Sequence, residues 1–304
     1  MASVRGPVPK SKMRKPLFDL SKKADLAALL DTSVGDLIFV VSRIDRFYVR
    51  EERPKPNGGN RLLLKPRGRL IRIQGRIKRA ILDRVPPLPF VHGGIRGRSI
   101  KTNAAPHIGH EALIAMDIKD CFPSIGPKKV LQVFNDLGIA GEAAAILVAL
   151  TTFDFQLPQG TKTSPALANL VLRSIDRRVH ALAVKHCFSY TRYVDDIVLS
   201  GARRLVKLKG LLHNIFSSEG FKLKLRKEVM FQSEPQLVTK LLVNQKLNVT
   251  RERRDAIRDE LFKQLSDRQK ELSPSTMGKL MWLESINSQV GSKLLGRIPR
   301  GLQR

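Results

Sequence analysis

The sequence is short of cysteine, of aromatic residues and of long apolar runs. Only two cysteines, Cys121 and Cys187, occur among 304 residues, which argues against a disulfide framework and fits a reducing cytoplasm. Aromatic residues make up 6% of the chain, too few for a surface built mainly from base-stacking rings. No apolar run reaches the length of about 18 residues that a membrane span needs, and MASVRGPVPKSKMRKP lacks the apolar core of a secretory signal. We therefore expect a cytoplasmic protein with no membrane partner.

Acidic residues are also scarce relative to basic ones. Lysine and arginine number 55 against 27 acids, a formal net charge of +28. A field of this strength attracts polyanions, and nucleic acid is the partner that it favours, with an anionic membrane surface as the alternative. The apolar fraction of 42% is enough for a folded core, in one large domain or two to three subdomains.

The apolar periodicity predicts a mixture of helices and strands. Helices are predicted within 22–50 and over 69–85, 126–138, 140–150, 166–184 and 207–220. Strands are predicted on both sides of a turn at 53–61, at the start of 111–122, in both arms of 189–201, and over 221–231. After Pro235 the chain becomes helical and basic. The middle of the chain therefore follows the order β-α-α-β-β-α-β, an α+β pattern with an antiparallel sheet backed by helices.

The stretch SYTRYVDDIVLSG (189–201) places Asp195 and Asp196 side by side between two apolar, β-prone arms. Adjacent carboxylates repel each other and are costly to bury without compensation. Their environment is therefore a metal ion, an arginine, or only solvent at a hairpin tip. The strand ALIAMD brings Asp117 to a similar position, and neighbouring strands would bring the acids together. Because successive strand residues face opposite ways, both members of the doublet can approach one site only at a tight turn.

Carboxylates with no neighbouring set of histidine or cysteine ligands suit Mg²⁺ or Mn²⁺ rather than Zn²⁺. Two such ions about 3.5–4 Å apart hold the attacking and leaving oxygens in phosphoryl transfer. In a chain this basic, the surface would hold a polyanion and the acids would hold the metal ions that act on it.

Three segments together resemble the catalytic motifs of reverse transcriptases, in the order and spacing of that family. They are MDIKDCFPSI, LPQGTKTSPALAN and the YVDD of the acidic hairpin, and the resemblance covers about residues 40–245. It implies a right-hand polymerase fold of the α+β class. We expect an N-terminal arm and fingers over 1–111, a palm over 112–235 with a helical insertion at about 126–168, and a basic helical thumb over 236–304.

The resemblance implies catalytic and metal-binding roles for the acids. Asp117 and Asp195 are similar to the principal ligands of two Mg²⁺ ions, for which Mn²⁺ is a possible substitute. Asp196 is similar to the third acid, and the main-chain carbonyl of Ile118 would complete one metal shell.

The resemblance also implies a set of nucleotide-binding residues. Phe122 is similar to the aromatic gate that disfavours a ribose 2′-hydroxyl, the alternative being a core aromatic. Gln159 is similar to the residue that lines the pocket of the incoming nucleotide. Lys55 and Arg61, in PKPNGGNR, resemble residues that bind the triphosphate, the alternative being a solvated basic turn. Lys227 resembles the lysine that could protonate the departing pyrophosphate.

Two further segments resemble the retron group of reverse transcriptases. TNAAPHIG places Asn103 and His107 as in the NAxxH signature of retron enzymes. LVTKLLVNQ places Thr239 and Lys240 where the group has VTG, so that lysine stands in place of glycine. All four residues are expected to bind nucleic acid, although a histidine in this position is also compatible with a buried structural role.

The segment TRERRDAIRDELFKQL is expected to grip the backbone of an RNA–DNA hybrid, the alternative being a solvated helix face. Its arginines are Arg251, Arg253, Arg254 and Arg258. The implied function is an RNA-directed DNA polymerase that uses dNTPs to copy a structured noncoding RNA into single-stranded DNA. In retrons an RNA 2′-hydroxyl primes synthesis, the product is branched, and a separate effector protein acts with it in defence against phage. The alternatives are another bacterial reverse transcriptase, from a group II intron relative or another defence system, or an RNA-binding scaffold without catalysis.

Overall fold

The chain forms two compact units in a computed structural model that describes residues 16–54, 58–225, 229–266 and 272–299. The first unit comprises Met1–Val85 and Ile125–Val171. The second comprises Pro86–Ser124 and Leu172–Arg304. Each unit is therefore assembled from two separate stretches of the chain.

Both units contain helices and strands. The helices of the described residues are α1 (Lys23–Leu29), α2 (Val34–Val41), α3 (Gly68–Ala80), α4 (Ile100–Ala104), α5 (Pro127–Asp136), α6 (Gly141–Thr151), α7 (Ser164–Val171), α8 (Arg173–Lys185), α9 (Lys209–Ser217), α10 (Arg251–Ser266), α11 (Pro274–Ile286) and α12 (Ser288–Leu295). The strands are β1 (Tyr48–Pro54), β2 (Asn60–Pro66), β3 (Ala112–Ile118), β4 (Ser189–Tyr193), β5 (Asp196–Gly201), β6 (Leu223–Leu225), β7 (Met230–Phe231), β8 (Leu237–Val238), β9 (Leu241–Leu242) and β10 (Asn248–Val249).

The first unit combines a helical core with one β-hairpin. Helix α3 buries Leu70, Ile73 and Ile77, the apolar face that its spacing predicts. Strands β1 and β2 pair antiparallel from Tyr48 opposite Pro66 to Pro54 opposite Asn60. The predicted hairpin is thus confirmed, and residues 55–57 at its tip lie outside the described residues.

A five-stranded antiparallel sheet forms the centre of the second unit. Its strands follow the order β4-β5-β3-β6, and β7 also pairs with β3. Strand β3 is central and is buried except at Ala115 and Asp117, which are half-buried. Helix α8 packs against β4, and α9 packs against both α8 and β6. An antiparallel sheet with helices packed on it confirms the α+β prediction.

The C-terminal part of the second unit is helical, with a small sheet before it. Strands β8, β9 and β10 pair antiparallel in the order β10-β9-β8. Buried apolar residues join this sheet to the helices, among them Val238, Leu261 and Leu283. No helix in the described ranges is both long and apolar enough to cross a membrane.

One predicted helix differs from the structure, and one small sheet was not predicted. The predicted helix over 166–184 is divided at Leu172, where ψ is −4°, into α7 and α8. The two helices belong to different units, so each buries its apolar face in its own core, which a continuous apolar pattern does not reveal. The small sheet was not predicted, because strands of two residues are too short to show a period.

Candidate active site

The acid doublet lies at the tip of the hairpin formed by β4 and β5. Tyr193 pairs with Asp196, so Val194 and Asp195 form a two-residue turn. Val194 has a φ of 60°, a conformation that β-branched residues rarely adopt and that glycine usually supplies at the first position of a type II′ turn. The tight turn that the sequence required for both acids is therefore present, at the cost of backbone strain at Val194.

The sheet register brings the lone aspartate to the doublet. Asp117 on β3 lies directly opposite Asp196 on β5, and such cross-strand pairs share one face with Cβ atoms about 4.5–5.5 Å apart. The main-chain N–H of Ile118 donates to the carbonyl of Asp195 at 2.9 Å, which ties the turn to the end of β3. All three acids are half-buried. Asp196, rather than Asp195, is thus the direct partner of Asp117 in the register.

A lysine completes this row across the sheet. On its other side Asp117 lies opposite Lys224 of β6, whose side chain is exposed. The three residues share one face of the sheet, since opposed residues in antiparallel strands do so. An arginine was one of the groups that the sequence suggested as compensation for the acids. The nearby Arg192 instead pairs with Asp176, at 2.7 Å.

The acids fit a magnesium site that is completed by substrate. Among the described residues, no group of three or more His, Cys, Asp or Glu side chains is arranged as a metal cage. Mg²⁺ does not require one, because it is usually held by one or two carboxylates together with water and substrate phosphates. Asp117 and Asp196, opposed on one face with Asp195 beside them, are a donor set of this kind.

The segment around Gln159 is held rigidly in the first unit. Its main-chain oxygen accepts a hydrogen bond from the N–H of Leu64 at 2.7 Å. Gly160 has a φ of 107°, and a Cβ there would lie 3.2 Å from the oxygen of Leu64, so glycine permits this close approach. The hydroxyl of Ser164 donates to the Pro158 oxygen at 2.6 Å and fixes the loop from its other end.

The remaining nucleotide-binding candidates fall in several places. Arg61 is exposed on β2 and lies directly opposite Arg53, which itself pairs with Glu51 at 2.6 Å. Phe122 is half-buried in the turn after β3. Lys55 and Lys227 lie outside the described residues.

The structure corrects the expectation that Asn103 and His107 contact nucleic acid directly, because both side chains are fully buried. The ring nitrogens of His107 lie 2.6 Å from the hydroxyl of Ser200 and 2.7 Å from that of Thr191. Thr191 lies on β4 and Ser200 on β5, so His107 links the two strands of the acidic hairpin. The burial of His107 supports a structural role and not direct binding of nucleic acid.

The environment of His107 predicts an acid-sensitive fold. Burial, and then the positive charge of His110 and His92, lowers the pKa of His107 to about 3. The unfolded chain binds this proton near the ordinary value of about 6.5, so stability is complete above that pH and is lost as the pH falls toward 3. We expect the free energy of unfolding to decrease by about 2 kcal/mol between pH 7 and pH 5 from this residue, as measured by urea denaturation.

Two variants separate this effect from simple loss of packing. His107→Gln should unfold with a shallower pH dependence than the wild type. Ser200→Ala removes one hydrogen-bond partner of the ring but keeps the imidazole, so it should be less stable with the acid dependence retained. An unchanged pH dependence in His107→Gln would contradict the assignment.

Thr239 and Lys240 form the two-residue turn between β8 and β9. Their φ angles are 46° and 68°, which matches the type I′ turn that favours glycine at its second position. Lys240 therefore occupies the conformation that the glycine of VTG would adopt, and its side chain is exposed. The Thr239 hydroxyl accepts from the amide of Asn103 at 3.4 Å and donates to the Ile100 oxygen at 3.4 Å. The two retron-like segments thus contact each other.

The predicted arginine helix is present as α10. Three of its arginines share one carboxylate, since Arg251, Arg254 and Arg258 lie 3.6, 3.9 and 3.2 Å from Asp255. Arg253 lies over the ring of Trp282 at 5.1 Å. Arg258 also lies 3.1 Å from Asp259, and surface pairs of this kind contribute little stability.

A basic cavity extends this surface to the last helix. Its volume is about 490 Å³, and its charged lining comprises Arg254, Asp255, Arg258, Lys293 and Arg297. Four cations therefore face one carboxylate. Lys293 and Arg297 were not singled out from the sequence; Lys293 lies on α12, and Arg297 lies two residues beyond its end. We call these four cations, Arg254, Arg258, Lys293 and Arg297, the basic groove.

A sheet with opposed acids at a strained hairpin, backed by helices, fits the class expected from the sequence, a polymerase of the α+β type. Comparison with known proteins agrees. The family model "Reverse transcriptase (RNA-dependent DNA polymerase)" matches residues 54–249. The retron Mx65 reverse transcriptase of Myxococcus xanthus is 34% identical over 91% of this chain and 71% of its own length. The retron Ec86 reverse transcriptase of Escherichia coli is 31% identical over 93% of this chain and 88% of its own length.

The chain therefore belongs to the reverse transcriptase family, among the retron reverse transcriptases, and is an RNA-directed DNA polymerase. The predicted family and enzyme class are confirmed, and the scaffold without catalysis is not supported. Among solved structures, telomerase from Candida albicans in complex with a fragment of telomeric RNA aligns with a TM-score of 0.48 at 11% identity. That alignment covers 84% of this chain and 58% of the telomerase chain.

Proposed function

We propose that this polymerase copies a structured noncoding RNA into single-stranded DNA by two-metal nucleotidyl transfer. The observation that carries the proposal is the register of the central sheet, in which Asp117 lies opposite Asp196 with Asp195 at the adjoining turn. The 3′-hydroxyl of the growing strand attacks the α-phosphate of a dNTP, and pyrophosphate leaves. Two bound Mg²⁺ ions, or Mn²⁺, would stabilise the charge that develops on the attacking and leaving oxygens.

The acids and their neighbours have separate tasks in this proposal. Asp117, Asp195 and Asp196 hold the divalent ions, with the carbonyl of Ile118 as a further ligand. In the row Asp196–Asp117–Lys224 a base stands beside two acids, and Lys224 limits the repulsion between the acids when no ion is bound.

The nucleotide is held by residues from other segments. Phe122 packs under the sugar, and Gln159 lines the nucleotide pocket from a loop fastened to Leu64. Arg61, opposite Arg53 on the hairpin, binds the triphosphate together with Lys55. Lys227 donates a proton to the departing pyrophosphate.

The basic groove and the α10 arginines bind the backbone of the RNA–DNA hybrid. Four cations around one carboxylate favour a phosphate-rich ligand, and such contacts carry no sequence information. In this proposal residues 236–304 act as the thumb, residues 112–235 as the palm and residues 1–111 as the N-terminal arm and fingers.

Initiation follows the retron scheme in this proposal. An RNA 2′-hydroxyl primes synthesis and yields a branched RNA–DNA molecule, which acts with a separate effector protein in defence against phage in the cytoplasm. The support is that relatives at 34% and 31% identity are retron reverse transcriptases.

Nucleic acid that co-purifies with the protein tests the priming step. The protein is expressed together with the DNA that flanks its gene, and bound nucleic acid is resolved on denaturing gels before and after RNase and debranching treatment. We expect DNA whose mobility increases after RNase digestion and whose link to RNA is cut by debranching enzyme. DNA without attached RNA, made only from added primers, would support a bacterial reverse transcriptase that primes differently.

A further inference from the structure

An ion pair that is fully shielded from solvent lies next to the acidic turn. The side chains of Arg192 on β4 and Asp176 on α8 are both 0% exposed. Arg192 donates to Asp176 through Nε and Nη2, each at 2.7 Å, in the two-pronged geometry typical of arginine. Tyr190 donates its hydroxyl to the same carboxylate at 2.6 Å. Stability alone does not account for this pair, because well-packed apolar residues in place of a buried ion pair often give equal or higher folding stability.

The guanidinium has a third contact, and this one reaches the turn. Nη1 of Arg192 donates to the main-chain oxygen of Val194 at 2.6 Å. Val194 is the residue with a φ of 60°, and a strained residue persists only where its surroundings hold it. Arg192 therefore joins the rigid helix α8, through Asp176, to the strained residue that precedes the acid doublet.

A loop encloses the turn from another side. The N–H of Arg192 donates to the Phe90 oxygen at 3.0 Å, and the N–H of His92 donates to the Arg192 oxygen at 2.8 Å, so this loop runs along β4. A Cβ on Gly93 would lie 2.2 Å from the main-chain nitrogen of Val194. Only glycine fits there, and it allows the loop to press directly against the turn.

We propose that Arg192 is a positioning residue for DNA synthesis, which holds the Val194–Asp195 turn so that the acid doublet stays in register with Asp117, while Gly93 closes the turn from the side. This inference rests on the proposed role of the acids. Lysine could preserve the charge next to Asp176, but it lacks the planar fork that binds Asp176 twice and still reaches Val194. The hydrogen bond from Ile118 N–H to the Asp195 oxygen reports directly on whether the turn is in place.

Arg192→Lys and Gly93→Ala test the inference in the full chain. We expect each to lower kcat for dNTP incorporation by about 10- to 100-fold, with a smaller change in KM, since misplacement of catalytic groups by about 1 Å has effects of this size. In metal-free protein, the Ile118 amide should exchange its hydrogen about tenfold faster or more. If Arg192→Lys does not fold, Gly93→Ala decides alone, because it leaves the ion pair intact.

Gly201→Ala is the matched control. Its Cβ would lie 2.3 Å from the Phe188 ring, so the same substitution disturbs the same hairpin at the end opposite the turn. It should reduce thermal stability while kcat and Ile118 exchange stay near wild type. Equal kcat losses in Gly93→Ala and Gly201→Ala, or a fully active Arg192→Lys, would overturn the inference. Retained activity in Asp117→Asn would instead overturn the proposed function of the acids.

Discussion

Asp117→Asn should reduce DNA synthesis by about 10³-fold or more, because electrostatic stabilisation of the developing charge is the largest contribution that such a site makes. The change keeps the shape of the side chain and removes its charge. RNA affinity should stay within about twofold, since the basic surface that binds phosphates is unchanged. Primer extension under single-turnover conditions and filter binding with labelled RNA measure the two quantities.

Stability distinguishes this variant from one that simply misfolds. Asp117 and Asp196 are directly opposed like charges, which destabilise a sheet when no cation is bound. Asp117→Asn should therefore unfold at a temperature equal to or above that of the wild type in metal-free buffer. Loss of activity together with a large loss of stability would point to a structural role for Asp117.

Asp120→Asn provides a matched control. Asp120 lies three residues further along, is exposed and has a φ of 46°, a conformation that asparagine tolerates well. The same chemical change there should leave synthesis near the wild-type rate. Comparable losses in both variants would mean that negative charge in this segment, rather than the opposed pair, supports activity.

The second large effect is expected at the basic groove. The double variant Arg258→Glu with Arg297→Glu should lower RNA affinity by about 100-fold at 0.1 M salt, because two phosphate contacts are replaced by repulsion. The slope of log K against log salt should become shallower by about two. A salt titration of fluorescence anisotropy with a structured RNA measures both values.

A control with the same net charge separates the groove from the overall field. Arg177→Glu with Lys185→Glu changes two exposed residues of α8 and lowers the net charge by the same amount. This control should lose less RNA affinity than the groove variant, and its rate of DNA synthesis should fall only in proportion to that loss. If both double variants lose affinity equally, the long-range field of a +28 chain, and not the groove, controls binding.

Several parts of the fold and site could be predicted from local sequence. The hairpin over 189–201 was predictable because apolar β-prone arms flank a short polar break, and the structure has β4, β5 and a two-residue turn there. Arg251–Ser266 was recognisable as an arginine-rich helix. The strands β8–β10 were not predictable, since two residues carry no period. Lys293 on α12 and Arg297 just beyond it became notable only because the structure places them around one cavity with Arg254 and Arg258 of α10.

The charge, the order of elements and the family follow from the chain alone, because residue counts, periodicity and motif spacing are read locally. Three features needed the folded structure: Asp196 is the residue opposite Asp117, Asn103 and His107 are buried, and Arg192 binds Asp176 and the turn. Register and burial depend on contacts between residues far apart in sequence, and no local pattern specifies which partner each residue meets.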